Sequence, residues 1–254
     1  MPESQREAIK TAAVIYLSSH RPLHLPDFFK DFHDNWPSQS LEKTRHEPHV
    51  ACFRVGRSDF SLELHHSAVP DAITKPVADS MLHWPTALDA LARHVAYLEL
   101  MASSSSQGQL TLACDLTRAI ASLLGVTDSI AVCWLNGPSL NQSKAFIATA
   151  GEMFATGLYP LPLWVAIRWD EKCHTLSTRG MRQFGSPEVI LRRQPDAAPL
   201  MVDYLFQTAL SLLVSRHPIR AGETLEGPHG PIKVNPDKID EKGRVALVLE
   251  PLHA

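Results

Sequence analysis

The residues most able to do chemistry in this 254-residue chain are its 13 histidines, and a metal site is the first thing they suggest. His65 and His66 are adjacent, with His83 and His94 downstream. Neighbours on a strand point to opposite faces, so one of the pair at most could join a given site. No H-x-x-x-H pair lies on an expected helix and no carboxylate motif frames the four, so scattered surface or capping histidines are the plainer reading. A serine nucleophile would need a sharp turn with a base nearby. G-x-S-x-G does not occur. Gly137-Pro138-Ser139 follows an apolar run, where an active-site serine could lie, but Pro138 brings no N–H to an oxyanion hole and no second glycine follows. Cys173-His174 is a neighbour pair, whereas catalytic partners meet across a fold. Neither G-x-x-x-x-G-K-[ST] nor G-x-G-x-x-G is present. Gly222, Gly227 and Gly230 sit where a hairpin would need turn residues. The cysteines, Cys52, Cys114, Cys133 and Cys173, form no C-x-x-C pair and read as small buried apolar residues in a reducing compartment. No catalytic, cofactor-binding or metal-ligating residue is assigned, and no cofactor is expected.

Two features could instead serve recognition. Leu25, Phe28, Phe29, Phe32 and Trp36 recur at helical spacing, and Asp27, Asp31 and Asp34 fall together on the other side. An acidic helix face can steer a basic partner, such as a nuclease surface built to hold phosphates; a merely solvated face has the same pattern. The tryptophans are the other feature. Trp134 and Trp164 lie in very apolar stretches and are expected in the core. Trp36, Trp84 and Trp169 sit at element ends, where an interface anchor and core packing are both open.

These groups must be positioned by the elements around them. Strands are expected at 12–18, 49–55, 59–66, 94–100, 129–135, 161–169 and 187–193. Phe60, Leu62 and Leu64 alternate with Ser61, Glu63 and His65, the period of a half-buried strand. Helices are expected at 25–36, from Pro85, at 110–124 with Gly125 as C-cap, at 143–156 and at 196–216. Segment 38–48 reads as a polar linker, the stretch holding Pro70 and Pro76 as a loop, and TLSTRGMRQFG as irregular. A terminal hairpin closes the chain. The pattern implies an α+β fold with mixed, largely antiparallel sheets covered by helices. It fits two intimately packed halves, 1–103 and 109–254, or one continuous domain.

The bulk composition narrows the function class. Hydrophobic residues make up 44% and charged residues 20%, enough apolar material for a real core. A formal net charge of -3 with no Lys/Arg stripe argues against direct nucleic-acid binding. No apolar run approaches a membrane span, so no membrane partner is expected. The polar N-terminus MPESQREAIK shows no signal peptide, which points to the cytoplasm.

Five segments then occur in an order that carries a resemblance: HWPTALDALARHVAYLEL, SIAVCWLNGPSL, LPLWVAIRW, TRGMRQFGSPEVIL and AGETLEGPHGPIKV. Together they resemble a bacterial family known as a domain of unknown function, across roughly residues 48–250. Within it the chain is similar to the immunity proteins paired with type VI secretion toxins. The resemblance implies a cytoplasmic antidote that binds a cognate toxin, a nuclease effector, and neutralises it by protein–protein contact. The family offers no catalytic residues to carry over. On that reading Asp27, Asp31 and Asp34 are the candidate partner contacts. The rival expectation is a small-molecule, hydrolase-like enzyme with its site in the loops after 129–135 and 161–169.

Overall fold

The fold is legible in the alternation of one central strand. Along AYLELMASS, Ala96, Leu98, Leu100 and Ala102 are buried almost completely. Tyr97, Glu99, Met101 and Ser103 stand between them, on the other face of the pleat. The computed structural model describes residues 8–47, 50–78, 84–170, 172–192, 198–215, 219–228, 230–239 and 245–252. Within them the chain is α+β, with two mostly antiparallel sheets.

In chain order the strands of the first sheet are β1 (Ile9–Leu17), β2 (Leu41–His46), β3 (Val50–Val55), β4 (Ser58–His65), β5 (Ala96–Ser104), β6 (Ser129–Trp134) and β7 (Ser139–Gln142). Their spatial order is β2-β3-β4-β5-β1-β6-β7. β1 lies between β5 and β6, so strands from both sides of residues 103–108 share this sheet. The second sheet holds β8 (Ala166–Asp170), β9 (Thr175–Arg179), β10 (Glu188–Arg192), β11 (Thr224–Gly227), β12 (Gly230–Ile239) and β13 (Val245–Pro251). Its order is β11-β12-β13-β10-β9-β8, with β10 and β13 parallel.

Helix α1 (Leu25–Asn35) starts with Pro in its first turn and buries Leu25, Phe28 and Phe32, as its spacing predicts. Short helices α2 (Asp71–Ala78) and α3 (Ala87–Leu91) precede β5. Helix α4 (Gln109–Val126) buries an unbroken run from Leu112 to Thr117 and again from Ala119 to Leu124, so it is enclosed on nearly every side. Helices α5 (Ser143–Ala155), α6 (Leu161–Trp164) and α7 (Ala198–Val214) complete the set among the described residues.

Several expectations change. The segment expected as one strand, 161–169, is helix α6 followed by β8, because Pro160 and Pro162 suit a helical first turn. The expected linker 38–48 contains β2, an edge strand whose residues Glu42–Arg45 all face water; with neither side buried, it lacks the alternation that marks a strand. Helix α2 occupies the expected Pro70/Pro76 loop. β9 and a 3-10 turn, Met181–Phe184, order the stretch read as irregular. β7 lies in the expected turn after β6. Gly125 is inside α4 rather than its C-cap, with the Asp31 carboxylate beside it.

The two sheets meet at one polar junction in an apolar setting. Trp134 Nε1 donates to Gln183 Oε1 at 2.9 Å, and Gln183 Nε2 donates to the carbonyls of Trp164 (3.1 Å) and Gly180 (2.8 Å). Trp164 Nε1 reaches the opposite way, donating to Thr117 Oγ on α4 at 2.7 Å. Glu188 accepts from Thr178 Oγ (2.7 Å) and from the N–H groups of Gly180 (2.9 Å) and Met181 (3.3 Å). A Cβ on Gly137 would lie 1.9 Å from the Trp164 carbonyl oxygen, so this loop closes only with glycine there.

Gly137→Ala is expected to destabilise the protein by about 2 kcal/mol or more. Gly151 sits within α5 with nothing within 4 Å of an added Cβ. Gly151→Ala should be neutral or stabilise by up to about 1 kcal/mol. Urea unfolding midpoints for the two variants check both.

Candidate functional site

One face of the first sheet carries α1, α4 and α5; the other is only half covered by the described residues. There Val69, Leu91 and Cys133 are buried with Val14, Tyr16, Tyr97 and Ala131, and Ile73 of α2 and Trp84 pack against them. This cover ends at Val14 and Tyr97. Beyond it the sheet is open, forming a groove of about 480 Å³ whose lining includes Ala12, Cys52, Ser61, Met101, Ser103 and Asn136. Two smaller cavities, of about 200 and 180 Å³, lie near Trp84 and Leu23.

Strand register sets the chemistry of the open half. Ser61 faces Met101, and Met101 faces Ala12. Small neighbours leave the Met101 thioether standing free, 51% exposed in the middle of a sheet. At one end Lys10, Ser103 and Asp59 lie in register, with Asp59 held by Arg54 at 2.7 Å. At the other end, where the cover stops, Glu63 lies directly opposite Glu99. Like charges in register destabilise a sheet. His65 Nε2 lies 3.8 Å from Glu63 Oε1 and 3.7 Å from Glu99 Oε2, and its ring stacks on Tyr97 at 4.3 Å. That nitrogen lies between the two carboxylates, beyond hydrogen-bond distance of either. The arrangement offers a flexible apolar anchor beside two negative charges, which suits recognition of a surface that is apolar and cationic at adjacent points.

The acidic face expected on α1 lies on the opposite side of this sheet, since Phe28 packs its ring against the inward-facing Phe53 at 5.2 Å. Asp27 pairs with His24 at 3.0 Å and Asp34 with Lys30 at 2.6 Å. The Lys30 bond holds the Asp34 carboxyl below its ordinary range. Asp31 accepts from Asn35 at 3.0 Å and lies against α4 at Gly125. The three share a helix face, each with a local partner.

The other candidates are dispersed. His94 accepts from the Val69 N–H at 2.8 Å through Nε2 while its Nδ1 faces the Leu91 carbonyl, so its tautomer and place are structural. His66 lies near His20, with ring centroids 5.7 Å apart, and His83 falls outside the described residues. Among the described residues no group of three His, Cys, Asp or Glu side chains is placed to hold a metal ion. Ser139, in the loop considered for a hydrolase, donates to the Pro162 carbonyl at 3.3 Å and accepts from Asn141 at 2.9 Å. Cys173 and His174 occupy an exposed turn, the latter with φ of 49°. Gly227 and Gly230 close the β11–β12 hairpin, and Gly222 has φ of 91° in the preceding turn. Trp134 and Trp164 are fully buried, as expected, while Trp36 donates from Nε1 to Ser122 Oγ at 3.2 Å. All four cysteines are free. Burial pushes the Cys114 and Cys133 thiols up to about 12, which leaves them unreactive.

Pattern reading overlooked one buried charge, Asp115. It accepts from Ser58 Oγ at 2.8 Å and pairs with Arg118 at 3.3 Å, tying α4 to the β3–β4 hairpin. Its sequence signal is a carboxylate within a largely apolar helix, three residues before Arg118.

Comparison of the chain with protein-family models, with curated proteins and with solved structures finds no match. No described helix is long and apolar enough to cross a membrane.

Burial raises the Asp115 carboxyl above its ordinary range, opposed by the Ser58 hydrogen bond and the Arg118 charge. The folded protein therefore keeps this proton to higher pH than the unfolded chain does. The stability linked to that proton is full below the unfolded carboxyl's range and is lost as pH rises through the folded value. Asp115→Asn removes the titration. Between about pH 4 and neutrality, the unfolding free energy of the unaltered protein should therefore fall relative to the variant's. Urea unfolding of both proteins across that range measures it.

Proposed function

We propose that this chain is an immunity protein: a cytoplasmic antidote that binds a type VI secretion nuclease toxin and neutralises it by protein–protein contact. The observation that carries the reading is the half-bare sheet. A face roofed by helices over Val14 and Tyr16 opens into a groove with an exposed Met101 at its centre. Exposed apolar anchors within a concave surface of mixed polarity are what a protein partner buries. The order of sequence segments similar to immunity proteins supports the same reading. Three of those segments, around Trp134, Trp164 and Gly180, converge on the junction between the sheets. On this account the shared residues maintain the scaffold, and the surface that recognises a toxin is free to differ from one antidote to the next.

Co-expression of this chain with the product of the adjacent gene should restore growth that the product alone arrests, and the two should co-purify as a stable complex. An interface of ordinary size buries about 1,600 Å² in total, enough to persist through size-exclusion chromatography when its anchors are well seated. Rescue with no complex would count against a stoichiometric inhibitor and favour an enzymatic antidote.

A further inference from the structure

Two observations on the open half of the first sheet need an occupant. One is the Glu63–Glu99 pair, placed in register with a single imidazole, His65, at 3.8 and 3.7 Å from the two carboxylates. A sheet gains nothing from that placement, because opposed carboxylates repel. The other is Met101, two residues along β5 from Glu99 on the same face, half exposed above Ala12 and Ser61. Both lie at the line where, among the described residues, the chain's own cover of this face, the segment containing α2 and α3, stops.

We propose that this groove docks an amphipathic helix of the partner protein, which lies beside α2 and α3 and extends their layer across the sheet. The helix brings a Lys or Arg to the Glu63–Glu99 pair and an apolar side chain to Met101. Spacing supports a helix. Two residues of strand advance about 6.6 Å. Four residues of helix advance about 6 Å and return to the same face. A cation at position i and an apolar residue at i+4 therefore meet the two features at once. A strand adding to the sheet would use the β2 or β7 edge and would leave this face untouched. The inference rests on the antidote reading, because it names the surface with which that antidote holds its toxin.

The test uses the full chain and the adjacent gene's product in an inactivated form. Binding is followed by calorimetry at two salt concentrations and by the Met101 methyl resonance. Glu63→Gln combined with Glu99→Gln is expected to weaken binding at least tenfold and to flatten its salt dependence. The same change should leave the unfolding midpoint unchanged or higher, since it removes a repulsion; a merely structural pair would not show that combination. Met101→Ser should weaken binding at least fivefold, and the Met101 methyl should shift on complex formation in the unaltered protein. If the unaltered chain binds and these variants bind equally well, the groove is not the interface and the antidote reading stands without it. Loss confined to an Asp27/Asp31/Asp34→Lys variant would move the interface to α1, on the other side of the sheet, and overturn the inference. A chain that self-associates alone, and is made monomeric by Met101→Ser, would give the groove to a second copy and also overturn it. If the unaltered chain neither binds nor protects, both proposals fall.

Discussion

The structure depends on how a single glutamine amide is satisfied between two buried indoles. Gln183 accepts from Trp134 of the first sheet and donates to the carbonyl of Trp164 at the entry to the second. A third bond, to the Gly180 carbonyl, holds the loop that carries it. In this half-buried setting each of these groups would cost free energy if left unpaired. The bonds therefore set the sheets in one relation and penalise others. Apolar contact alone is tolerant of small rotations; a saturated polar node is not. Gly137 belongs to the same constraint, because the Trp164 carbonyl occupies the space that a side chain there would need.

With the sheets fixed in this way, the inner face of the first sheet is filled. Phe28, Phe53 and Phe60 pack in sequence across α1, β3 and β4, and α4 is enclosed over most of its length. Among the described residues the outer face has less to cover it. The excursion between β4 and β5 reaches Val14, Tyr16 and Tyr97, and past it the sheet ends in small and polar residues around Met101. Apolar surface left exposed in a concave setting, next to charges that repel one another, is a stability cost that folding does not explain. On the docking proposed above, a partner helix would bury the thioether and neutralise the carboxylates together.

The segments that carry the proposed resemblance and the surface proposed to act are different parts of the molecule. SIAVCWLNGPSL, LPLWVAIRW and TRGMRQFGSPEVIL supply the node of tryptophans, glycines and Gln183. Buried networks of this kind restrict sequence strongly, since each member constrains its partners. Outer-face positions such as Ser61, Glu63, Glu99 and Met101 meet no comparable internal constraint. Substitution there would leave the scaffold's buried bonds intact.

Much of the architecture was legible in the linear sequence, because half-buried elements write their burial as a period. Phe60/Leu62/Leu64 announced β4, and Leu25/Phe28/Phe32 announced α1 with its proline start. The α+β class followed from the order of such elements. The reading failed where burial is uniform or absent. The apolar run from Leu161 to Trp169 could not reveal its change from helix to strand, and β2 is exposed on both sides. The groove was invisible for a different reason. Glu63 and Glu99 belong to separate strands, and only the β4–β5 register brings them together. That register is set by long-range pairing and by the core on the opposite face. Composition, periodicity and capping residues thus determined the elements and the class of fold. Tertiary structure alone decided which side chains share a surface, because contact between distant strands depends on packing that no local stretch of chain encodes.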